Sequence, residues 1–373
     1  MRKYIAPCLF GLETFCKNEF KFMGMQNVKA ENGRVRFEGD DNAFMRANIM
    51  SRFSERILIE LGSFKATSFD ALFEGTRKLP FEEFIGKNDG FPVKGFSLNS
   101  KLFSVPDCQK IIKKAVSKRL ESAYKLRWFP ETGSLVRIQF ILIDDTVSLC
   151  ADTSGQGLHK RGYRPENYEA PIRETLAAAM VDISGYKGFE ELADPFCGSG
   201  TIAIEAAFAA KRRAPGLNRN FISEDWQISE KKAWQEAREY AKSREFKGNY
   251  KIYGSDISPK AIELCQKNAL RAGVADCVSF EIADALKFER KTEEGRIVTN
   301  PPYGLRLMDE KESRELYAAF GKTYSTLENW DAYIISPEPE FESCFGKKAE
   351  KTRRLYNGNI RSTLYMYRNK KIR

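Results

Sequence analysis

The sequence predicts an α/β protein in which a Rossmann-like, doubly wound parallel sheet is closed by an antiparallel hairpin and preceded by α+β structure. From about residue 165, strand-like runs alternate with helical runs, as in a parallel sheet covered by helices. A glycine-rich turn joins the strand ending in "LADP" to the helix "TIAIEAAFAA". Near the end, Asn357 and Gly358 separate two strand-like runs, which predicts the hairpin.

Length and composition favour a cytoplasmic protein of two or three domains. The chain has 373 residues, more than one typical core accommodates. No apolar run is long enough to span a membrane, and the start, MRKYIAPCLFGLETF, is too interrupted for a signal peptide. Eight scattered cysteines and one histidine predict reduced thiols, and they argue against a structural zinc site or a His-dependent triad. We therefore expect no metal.

The positive charge is concentrated in the first part of the chain. The formal net charge is +10, and residues 1–165 hold 27 Lys and Arg against 19 Asp and Glu. The remaining residues hold 34 against 32, which is close to neutral. This distribution favours a polyanionic partner contacted by an N-terminal module, although charge that only keeps the protein soluble explains it as well.

The N-terminal part of the chain reads as two small modules. Residues 1–60 alternate short apolar and polar pieces around a helix-like "LETFCKNEFKFM", which is typical of a β-α-β unit. Residues 61–155 read as mixed α/β, and "LVRIQFILI" with "TVSLCAD" predicts two strands joined at Asp144 and Asp145. We place the last boundary near residue 156, so that residues 156–373 form the third domain.

A helix predicted from Asp107 to Tyr124 has one basic face. A capping box from Ser104 to Asp107 is expected at its start. At 100° per residue four lysines share one side, opposite an apolar side: Lys110, Lys113, Lys114 and Lys118. Such a face is often merely solvated, but a run without interleaved carboxylates favours contact with a phosphate backbone.

The connector Thr153–Arg164 is rich in glycine and basic residues. Lys160, Arg161 and Arg164 are candidates to hold phosphates, or they belong to an exposed linker. His159, the single histidine, is interpreted as a packing or hydrogen-bonding residue and not as a general base.

The turn after the strand "LADP" has the features of a nucleotide-binding loop. Gly198 and Gly200 allow the backbone to approach a ligand, and with Ala203 they fit the G-x-G-x-x-A fingerprint. The acidic residue that such a loop requires, Asp256, follows Gly200 by 56 residues, whereas a dinucleotide fold expects about 20. The intervening residues 211–250 are a charged insertion that contains tryptophan. This long spacing weakens the interpretation of the loop as a binding site for a nicotinamide dinucleotide.

Three acids end successive predicted strands: Asp194, Asp256 and Asp284. Each alone is more often a helix cap or a turn residue. On neighbouring strands of one parallel sheet they would converge at the carboxyl edge, where such sheets bind ligands. Asp256 fits a ribose, and Asp284 fits an adenine amino group.

The stretch "IVTNPPYG" ends a strand in an unusual way. Asn300 precedes a proline and is therefore held extended, and Pro301 and Pro302 have no N–H to donate. The Asn300 amide oxygen and the Pro301 carbonyl could accept both hydrogens of an exocyclic amine. Tyr303 offers a ring on which an unpaired base could stack. The alternative is a strand stopped by prolines, with the tyrosine in the core.

In combination, "DPFCGSGT", "GSDIS", "IADA" and "TNPPYG" resemble the class I S-adenosylmethionine-dependent methyltransferases that act on amino groups. "SKLFSVPDCQKIIKKAVSKRL", "LHKRGYR", "APIRETLAAAM" and "APGLNRNF" extend this resemblance to the bacterial THUMP-containing RNA guanine-N2 methyltransferases, over nearly the whole chain. The resemblance implies a ferredoxin-like piece and a THUMP RNA-binding domain before the methyltransferase domain. The chain ends soon after the hairpin, so we do not expect the second methyltransferase domain of some relatives.

The resemblance also assigns roles to matching positions. The cofactor would be S-adenosyl-L-methionine, with Asp256 at its ribose, Ile257 on its adenine, and Asp284 with Ala285 at the adenine amino group. Its methionine end would lie along the loop Asp194, Pro195, Phe196, Cys197, Gly198, Ser199, Gly200 and Thr201. The target base would be held by Asn300, Pro301, Pro302 and Tyr303.

These observations favour an RNA methyltransferase that modifies N2 of a guanine in structured RNA and acts as a monomer. The favoured substrate is 23S rRNA. Because the Asn-Pro-Pro-Tyr motif suits any planar amine, adenine N6 in RNA or DNA and a guanine in tRNA stay open. An RNA-binding or assembly factor with a vestigial cofactor pocket is the alternative from another class. The proton acceptor is not identified.

Overall fold

The structure is a computed structural model that describes residues 1–164, 172–303, 309–358 and 360–369. Ala170 and Pro171 of "APIRETLAAAM" and Gly304 of "TNPPYG" lie outside the described residues. The chain forms two compact units. The first comprises Met1–Cys8, Cys16–Leu158 and Arg219–Tyr240, and the second comprises Leu9–Phe15, His159–Asn218 and Ala241–Arg373.

The first unit is built on one sheet, with seven strands among the described residues in the order β2-β3-β1-β4-β7-β6-β5. Its strands are β1 (Arg2–Pro7), β2 (Gln26–Glu31), β3 (Arg34–Gly39), β4 (Leu58–Lys65), β5 (Val93–Leu98), β6 (Ile138–Ile143) and β7 (Thr146–Asp152). The two modules predicted at residues 1–60 and 61–155 therefore contribute strands to the same sheet.

Four helices accompany this sheet: α1 (Glu13–Phe22), α2 (Ala43–Met50), α3 (Phe69–Arg77) and α4 (Val105–Tyr124). Aromatic rings join α1 to the sheet, since Phe20 stacks on Phe37 at 4.3 Å and Phe37 stacks on Tyr4 at 5.1 Å. The predicted turn between β6 and β7 is present, because Ile143 pairs with Thr146 around Asp144 and Asp145. Both aspartates have positive φ, +49° and +60°, as a two-residue hairpin turn requires.

The predicted basic helix begins two residues earlier than expected, at Val105. Its predicted capping box is wrong. The Ser104 hydroxyl donates to the Asp107 carboxylate at 2.5 Å and caps no backbone N–H.

The insertion at residues 211–250 is divided between the units. Its middle, Arg219–Tyr240, belongs to the first unit. There Trp226 Nε1 donates to the Leu135 carbonyl at 2.9 Å, and Trp234 stacks on Phe221 at 5.3 Å. Helix α7 (Lys231–Ser243) starts in this segment. Periodicity could not predict this placement, because it depends on contacts between residues far apart in the sequence.

The second unit contains the predicted doubly wound sheet, in the order β10-β9-β8-β11-β12-β14-β13. Its strands are β8 (Glu191–Asp194), β9 (Ile252–Asp256), β10 (Val278–Ile282), β11 (Gly295–Thr299), β12 (Trp330–Ser336), β13 (Lys351–Asn357) and β14 (Ile360–Tyr367). Strands β8 to β12 are parallel, and β14 and β13 close the sheet in antiparallel fashion. The predicted fold class is confirmed, hairpin included.

The helices of this unit are α5 (Glu174–Ile183), α6 (Thr201–Lys211), α8 (Pro259–Ala272), α9 (Glu310–Ser325) and α10 (Phe341–Phe345). The predicted helix at residues 172–183 starts slightly later, at Glu174. One apolar core is centred on Trp330 and packs α9 and α10 against the sheet. Among the described residues, no helix is long and apolar enough to cross a membrane.

Candidate active site

The predicted site residues meet at one edge of the second sheet, which we call the carboxyl edge. Strands β10, β9, β8 and β11 lie side by side and parallel, so their last residues share this edge. Asp194 ends β8, Asp256 ends β9, and Thr299 ends β11 immediately before Asn300. Asp284 follows β10 by two residues. Since ligands of open parallel sheets bind at this edge, it is the candidate active site.

The glycine-rich loop after β8 is fixed by its own backbone. Gly198 N donates to Asp256 Oδ2 at 3.1 Å, and Cys197 N donates to the Ser255 carbonyl at 2.9 Å. Gly200, with φ of +79°, caps α6, and a Cβ there would lie 3.1 Å from Cys265 Sγ. Gly198, with φ of +53°, has open space where its Cβ would be. The loop is therefore packed on one side and accessible on the other.

Helix α8 supports this loop with two side chains that sequence reasoning missed. Cys265 Sγ donates to the Gly198 carbonyl at 3.2 Å, and Asn268 Nδ2 donates to the Ser199 carbonyl at 3.0 Å. Both carbonyls are thereby directed into the protein. The signal for Asn268 was present in the sequence, because a mid-helix asparagine is unfavourable unless its amide has a partner.

Asp194 faces the protein interior. It is buried, and its Oδ1 accepts from Thr299 Oγ1 at 2.6 Å and from Phe196 N at 3.3 Å. Burial raises the pKa of this carboxyl to about 7, although the hydrogen bond from Thr299 acts in the opposite direction. The Thr299 contact joins the glycine-rich loop to the strand that carries Asn300. Thr299 was not among the predicted site residues.

Asp256 and Asp284 are only partly buried. Asp256 holds two backbone N–H groups, that of Gly198 and that of Ser258, the latter at 2.9 Å. Asp284 accepts from Leu286 N at 2.9 Å, in the capping role that was its alternative reading. A carboxylate has room for further donors, so both can also bind a ligand. Between them, Ile257 is 73% exposed and presents an apolar face to a planar ring.

The Asn-Pro-Pro-Tyr segment is held by its backbone. Tyr317 Oη, on α9, donates to the Pro302 carbonyl at 2.9 Å, and burial raises the pKa of Tyr317 to about 12. Asn300 and Tyr303 are both partly exposed. Within the described residues, the Asn300 amide makes no hydrogen bond.

The predicted cofactor residues fall into two groups by exposure. Those at least partly exposed at the carboxyl edge are Phe196, Gly198, Asp256, Ile257 and Asp284. The others are buried and shape the edge from behind: Asp194, Pro195, Cys197, Ser199, Gly200, Thr201 and Ala285. Pro301 is buried as well, whereas Pro302 is partly exposed.

The prediction that Arg161 holds a phosphate does not fit the structure. Arg161 is 2% exposed and Nε pairs with Glu205 Oε1 at 3.1 Å. Burial lowers the pKa of the Arg161 guanidinium, whereas the neighbouring Glu205 raises it. The net effect is a raised pKa. Arg164 is also turned inward, because it pairs with Glu174 at 2.5 Å and reaches Thr201 Oγ1 at 3.4 Å. These arginines anchor the connector to α5 and α6, whereas Lys160 is exposed.

The lysine face of α4 is exposed, but it is partly neutralised. Lys118 lies 2.7 Å from Glu121, Lys113 lies 3.0 Å from Glu131, and Lys110 lies 3.8 Å from Asp107. Lys114 is exposed. The sequence prediction counted no interleaved carboxylates on this face. Asp107 and Glu121 nevertheless pair with it from the same helix, and Glu131 pairs with it from beyond the helix.

Comparison with known proteins agrees with this geometry. The family described as RMKL-like methyltransferase domain matches residues 161–366, the RlmL ferredoxin-like domain matches residues 3–58, and the THUMP domain matches residues 66–152. The chain is 41% identical to "Putative RNA methyltransferase YpsC" of Bacillus subtilis, over 98% of this chain and 96% of that protein. The chain belongs to the RMKL-like methyltransferase family.

Two further relatives support the same family and fold. The "Ribosomal RNA large subunit methyltransferase K/L" of Psychromonas ingrahamii is 34% identical over 99% of this chain, which corresponds to 50% of that protein. The crystal structure of "SMU.472, a putative methyltransferase complexed with SAH" superposes with a TM-score of 0.92 at 34% identity, covering 100% of this chain and 99% of that one. The resemblance to THUMP-containing methyltransferases is thus confirmed, and so is the class I fold.

The described residues contain no cluster of three or more His, Cys, Asp or Glu side chains arranged to hold a metal ion. The polar groups of this site are carboxylates, an amide, hydroxyls and backbone groups.

Proposed function

We propose that this member of the RMKL-like family transfers a methyl group from S-adenosylmethionine to the exocyclic N2 amine of a guanine in structured RNA, with 23S rRNA as the preferred substrate. The observation that carries the proposal is the juxtaposition of the two motifs. The Asp194–Thr299 hydrogen bond of 2.6 Å fixes the glycine-rich loop beside the strand end that presents Asn300.

The residues at the carboxyl edge fit S-adenosylmethionine. The open side of Gly198 allows a ligand to approach the backbone at the N-terminus of α6, where N–H groups attract a carboxylate. Asp256 and Asp284 offer acceptors for ribose hydroxyls and an amino group, and Ile257 offers an apolar face for the adenine. When bound, the cofactor supplies a methyl group on a sulfonium. This fit is also supported by a close structural relative that was solved with S-adenosylhomocysteine.

On the acceptor side, Asn300 Oδ1 and the Pro301 carbonyl would each accept one hydrogen of the guanine amine. Two such bonds orient the nitrogen lone pair and stabilise the positive charge that develops on nitrogen as the new bond forms. The prolines contribute no N–H that could compete for these acceptors. Tyr303 would stack on the base, which must leave its helix to reach this position. Because the sulfonium of the cofactor is already an activated leaving group, positioning the amine against its methyl group can supply much of the catalysis.

The RNA partner is supported by the THUMP match and by the names of the relatives. We propose that exposed lysines contact its phosphates: Lys110, Lys113, Lys114, Lys118 and Lys160. The three carboxylate pairs on α4 reduce the charge that this face offers, so we expect it to steer RNA more than to hold it tightly. The domain limits at residues 60 and 155, the monomeric state and the cytoplasmic location stay predictions.

Adenine N6 in RNA or DNA is the second candidate acceptor. The acceptors in Asn300, Pro301 and Pro302 do not distinguish one exocyclic amine from another, so the adenine N6 amine fits them as well as the guanine N2 amine. The guanine assignment depends on the family resemblance of the surrounding chain, and a guanine in tRNA fits it as well.

The test is methyl transfer by the purified protein. Tritiated S-adenosylmethionine is offered with total RNA, purified tRNA or DNA from a strain that lacks this protein, so that the target is unmodified. We expect tritium in RNA, chiefly in large-subunit rRNA. Incorporation into DNA alone, or into no nucleic acid at all, would overturn the proposal.

A further inference from the structure

The C-terminal hairpin is strongly basic and plays no part in the site described above. Residues 351–367 include four Lys and Arg and no Asp or Glu. Most of this stretch forms β13 and β14, the antiparallel end of the second sheet. Such a run usually marks a solvated face, so its position and its contacts decide whether it has a function.

The hairpin extends past the carboxyl edge. Thr299 of β11 is level with Ile334 of β12, Ile334 with Tyr365 of β14, and Tyr365 with Thr352 of β13. From that level, β13 and β14 continue to the pair Asn357–Ile360, five residues farther. At ~3.3 Å per residue the hairpin projects about 17 Å beyond the end of β11.

The tip lies at a distance from Asn300 that suits a bound strand of RNA. Three strand-to-strand steps separate β11 from β13 in the sheet order, about 14 Å at ~4.8 Å each. Together with the ~17 Å projection, this places the tip about 22 Å from the end of β11. About six stacked nucleotides cover this distance at ~3.4 Å each, and fewer do when the strand is extended.

Arginines and aromatic rings come together at the tip. Tyr356 is the cross-strand partner of Arg361, and Arg354 is the partner of Thr363, so these side chains share one face. Phe10, which is 59% exposed, lies edge-on to Tyr356 with the ring centroids 6.3 Å apart. We call Phe10, Arg354, Tyr356 and Arg361 the tip surface.

The arginines of the tip surface are not neutralised. Arg354 and Arg361 are exposed, and within the described ranges neither has an ion pair or a side-chain hydrogen bond. This differs from α4, where three of the four lysines face carboxylates. Beside these two guanidinium groups, Phe10 is exposed and Tyr356 is partly exposed. Unpaired guanidinium groups next to accessible aromatic rings are the combination that binds single-stranded nucleic acid.

The tip surface is also held in place. Asn357 Oδ1 accepts from Arg173 N at 3.3 Å, which ties the turn to the start of α5. Arg353 Nη2 donates to the Gly11 carbonyl at 2.5 Å, and its guanidinium lies 4.8 Å from the Phe15 ring. These contacts fix the segment that carries Phe10 to β13. A surface ordered before binding loses less entropy on binding.

We propose that the tip surface binds the single-stranded RNA next to the target nucleotide. Arg354 and Arg361 contact phosphates, and an unpaired base stacks on the Phe10–Tyr356 pair. The inference rests on the proposed function, which requires that the target base leave its helix and hence that its neighbours be accessible as a single strand.

The experiment measures RNA affinity of the full chain by fluorescence anisotropy. One probe is a fluorescein-labelled 12-nucleotide RNA of mixed sequence, and the other is the same strand annealed to its complement. The variants are the double substitution Arg354→Gln/Arg361→Gln and the single substitution Phe10→Ala. The matched control is Lys351→Gln, at an exposed residue at the far end of β13.

We expect the double variant to bind the single strand at least tenfold more weakly. The slope of log affinity against log salt should decrease by about 1.4, which is ~0.7 for each lost phosphate contact. Phe10→Ala should weaken single-strand binding about five- to tenfold and leave duplex binding unchanged, since a duplex offers no free base to stack. Lys351→Gln should stay within about twofold of the unmodified protein, and every variant should bind S-adenosylhomocysteine as the unmodified protein does.

The proposal is overturned if the double variant binds the single strand within twofold of the unmodified protein, which would leave the surface to another partner such as a protein. It is equally overturned if Lys351→Gln weakens binding as much, or if Phe10→Ala weakens binding to single strand and duplex alike. Methyl transfer to RNA by the unmodified protein is measured in parallel. Normal transfer with unaffected tip variants refutes only the tip surface, whereas absent transfer refutes the proposed function.

Discussion

The glycine-rich loop and the Asn-Pro-Pro-Tyr segment follow neighbouring strands at the same edge of the sheet, yet they are held in opposite ways. In the loop, the carbonyls of Gly198 and Ser199 and the N–H of Gly198 have partners on β9 or α8. In the segment, Tyr317 anchors one carbonyl, and the Asn300 amide has no partner among the described residues. The loop is thus built as a rigid binding surface, whereas the segment keeps its polar side chain available for the reaction.

This difference predicts that substitutions in the two regions have different kinetic effects. Changes in the segment should lower turnover at saturating cofactor. Changes in the loop and its supports should weaken cofactor binding first.

The largest effect is expected for Asn300→Ala. Loss of one preorganised acceptor at the reacting amine should reduce kcat by about 10²- to 10³-fold. The affinity for S-adenosylhomocysteine, measured by calorimetry, should stay within about twofold because Asn300 supports nothing in the loop. Equal loss of turnover and of affinity would contradict the separation.

Asp256→Ala should give the opposite pattern. The substitution removes the acceptor of the Gly198 and Ser258 N–H groups as well as the proposed ribose contact, so we expect the Kd for the cofactor to rise about 10- to 100-fold. At saturating cofactor, kcat should recover to within several-fold of the unmodified enzyme. A large loss of kcat with an unchanged Kd would move Asp256 out of the binding surface.

The raised pKa of Asp194 should make the stability of the protein depend on pH. Its pKa is raised from 3.8 to about 7 in the folded protein, so between these values the folded state binds more protons than the unfolded state. The free energy of unfolding should therefore decrease as pH rises from about 4 to 7, by about 1–3 kcal/mol from this group. Urea unfolding at pH 5 and pH 8 should show that Asp194→Asn loses less stability over this range. An identical loss in both proteins would mean that the carboxyl titrates normally.

The smallest effect is expected for Tyr317→Phe. The ring keeps its packing against Phe341, with centroids 4.9 Å apart, and only the hydrogen bond to the Pro302 carbonyl is lost. At about 1 kcal/mol for such a bond, kcat should fall roughly three- to tenfold without a change in cofactor affinity. A change in cofactor affinity alone would assign Tyr317 to the loop instead.

The sequence predicted the carboxyl edge well, because alternation and strand-end residues are local signals. Asp194, Asp256, Asp284 and Asn300 could be placed at one edge from the order of strands alone. The sequence could not separate their roles, since Asp194 is buried and its hydrogen-bond partner Thr299 lies 105 residues away.

Partners far apart in the chain explain the other differences. Arg161 looked like an exposed phosphate contact because its neighbours are glycine and lysine, yet Glu205 on α6 pairs with it in the interior. Glu131 neutralises Lys113 from a segment beyond α4. The acid-free composition of residues 351–373 was visible in the sequence, but its meaning required the strand register that carries the hairpin past the edge.

The most direct test of the central claim is the identity of the methylated nucleoside. Large-subunit rRNA from a strain lacking this protein and from the same strain carrying it is digested and compared by mass spectrometry. The proposed function predicts that N2-methylguanosine falls by about one residue per rRNA in the absence of the protein and returns with the unmodified protein, but not with Asn300→Ala. A change in N6-methyladenosine with N2-methylguanosine unaltered would contradict it.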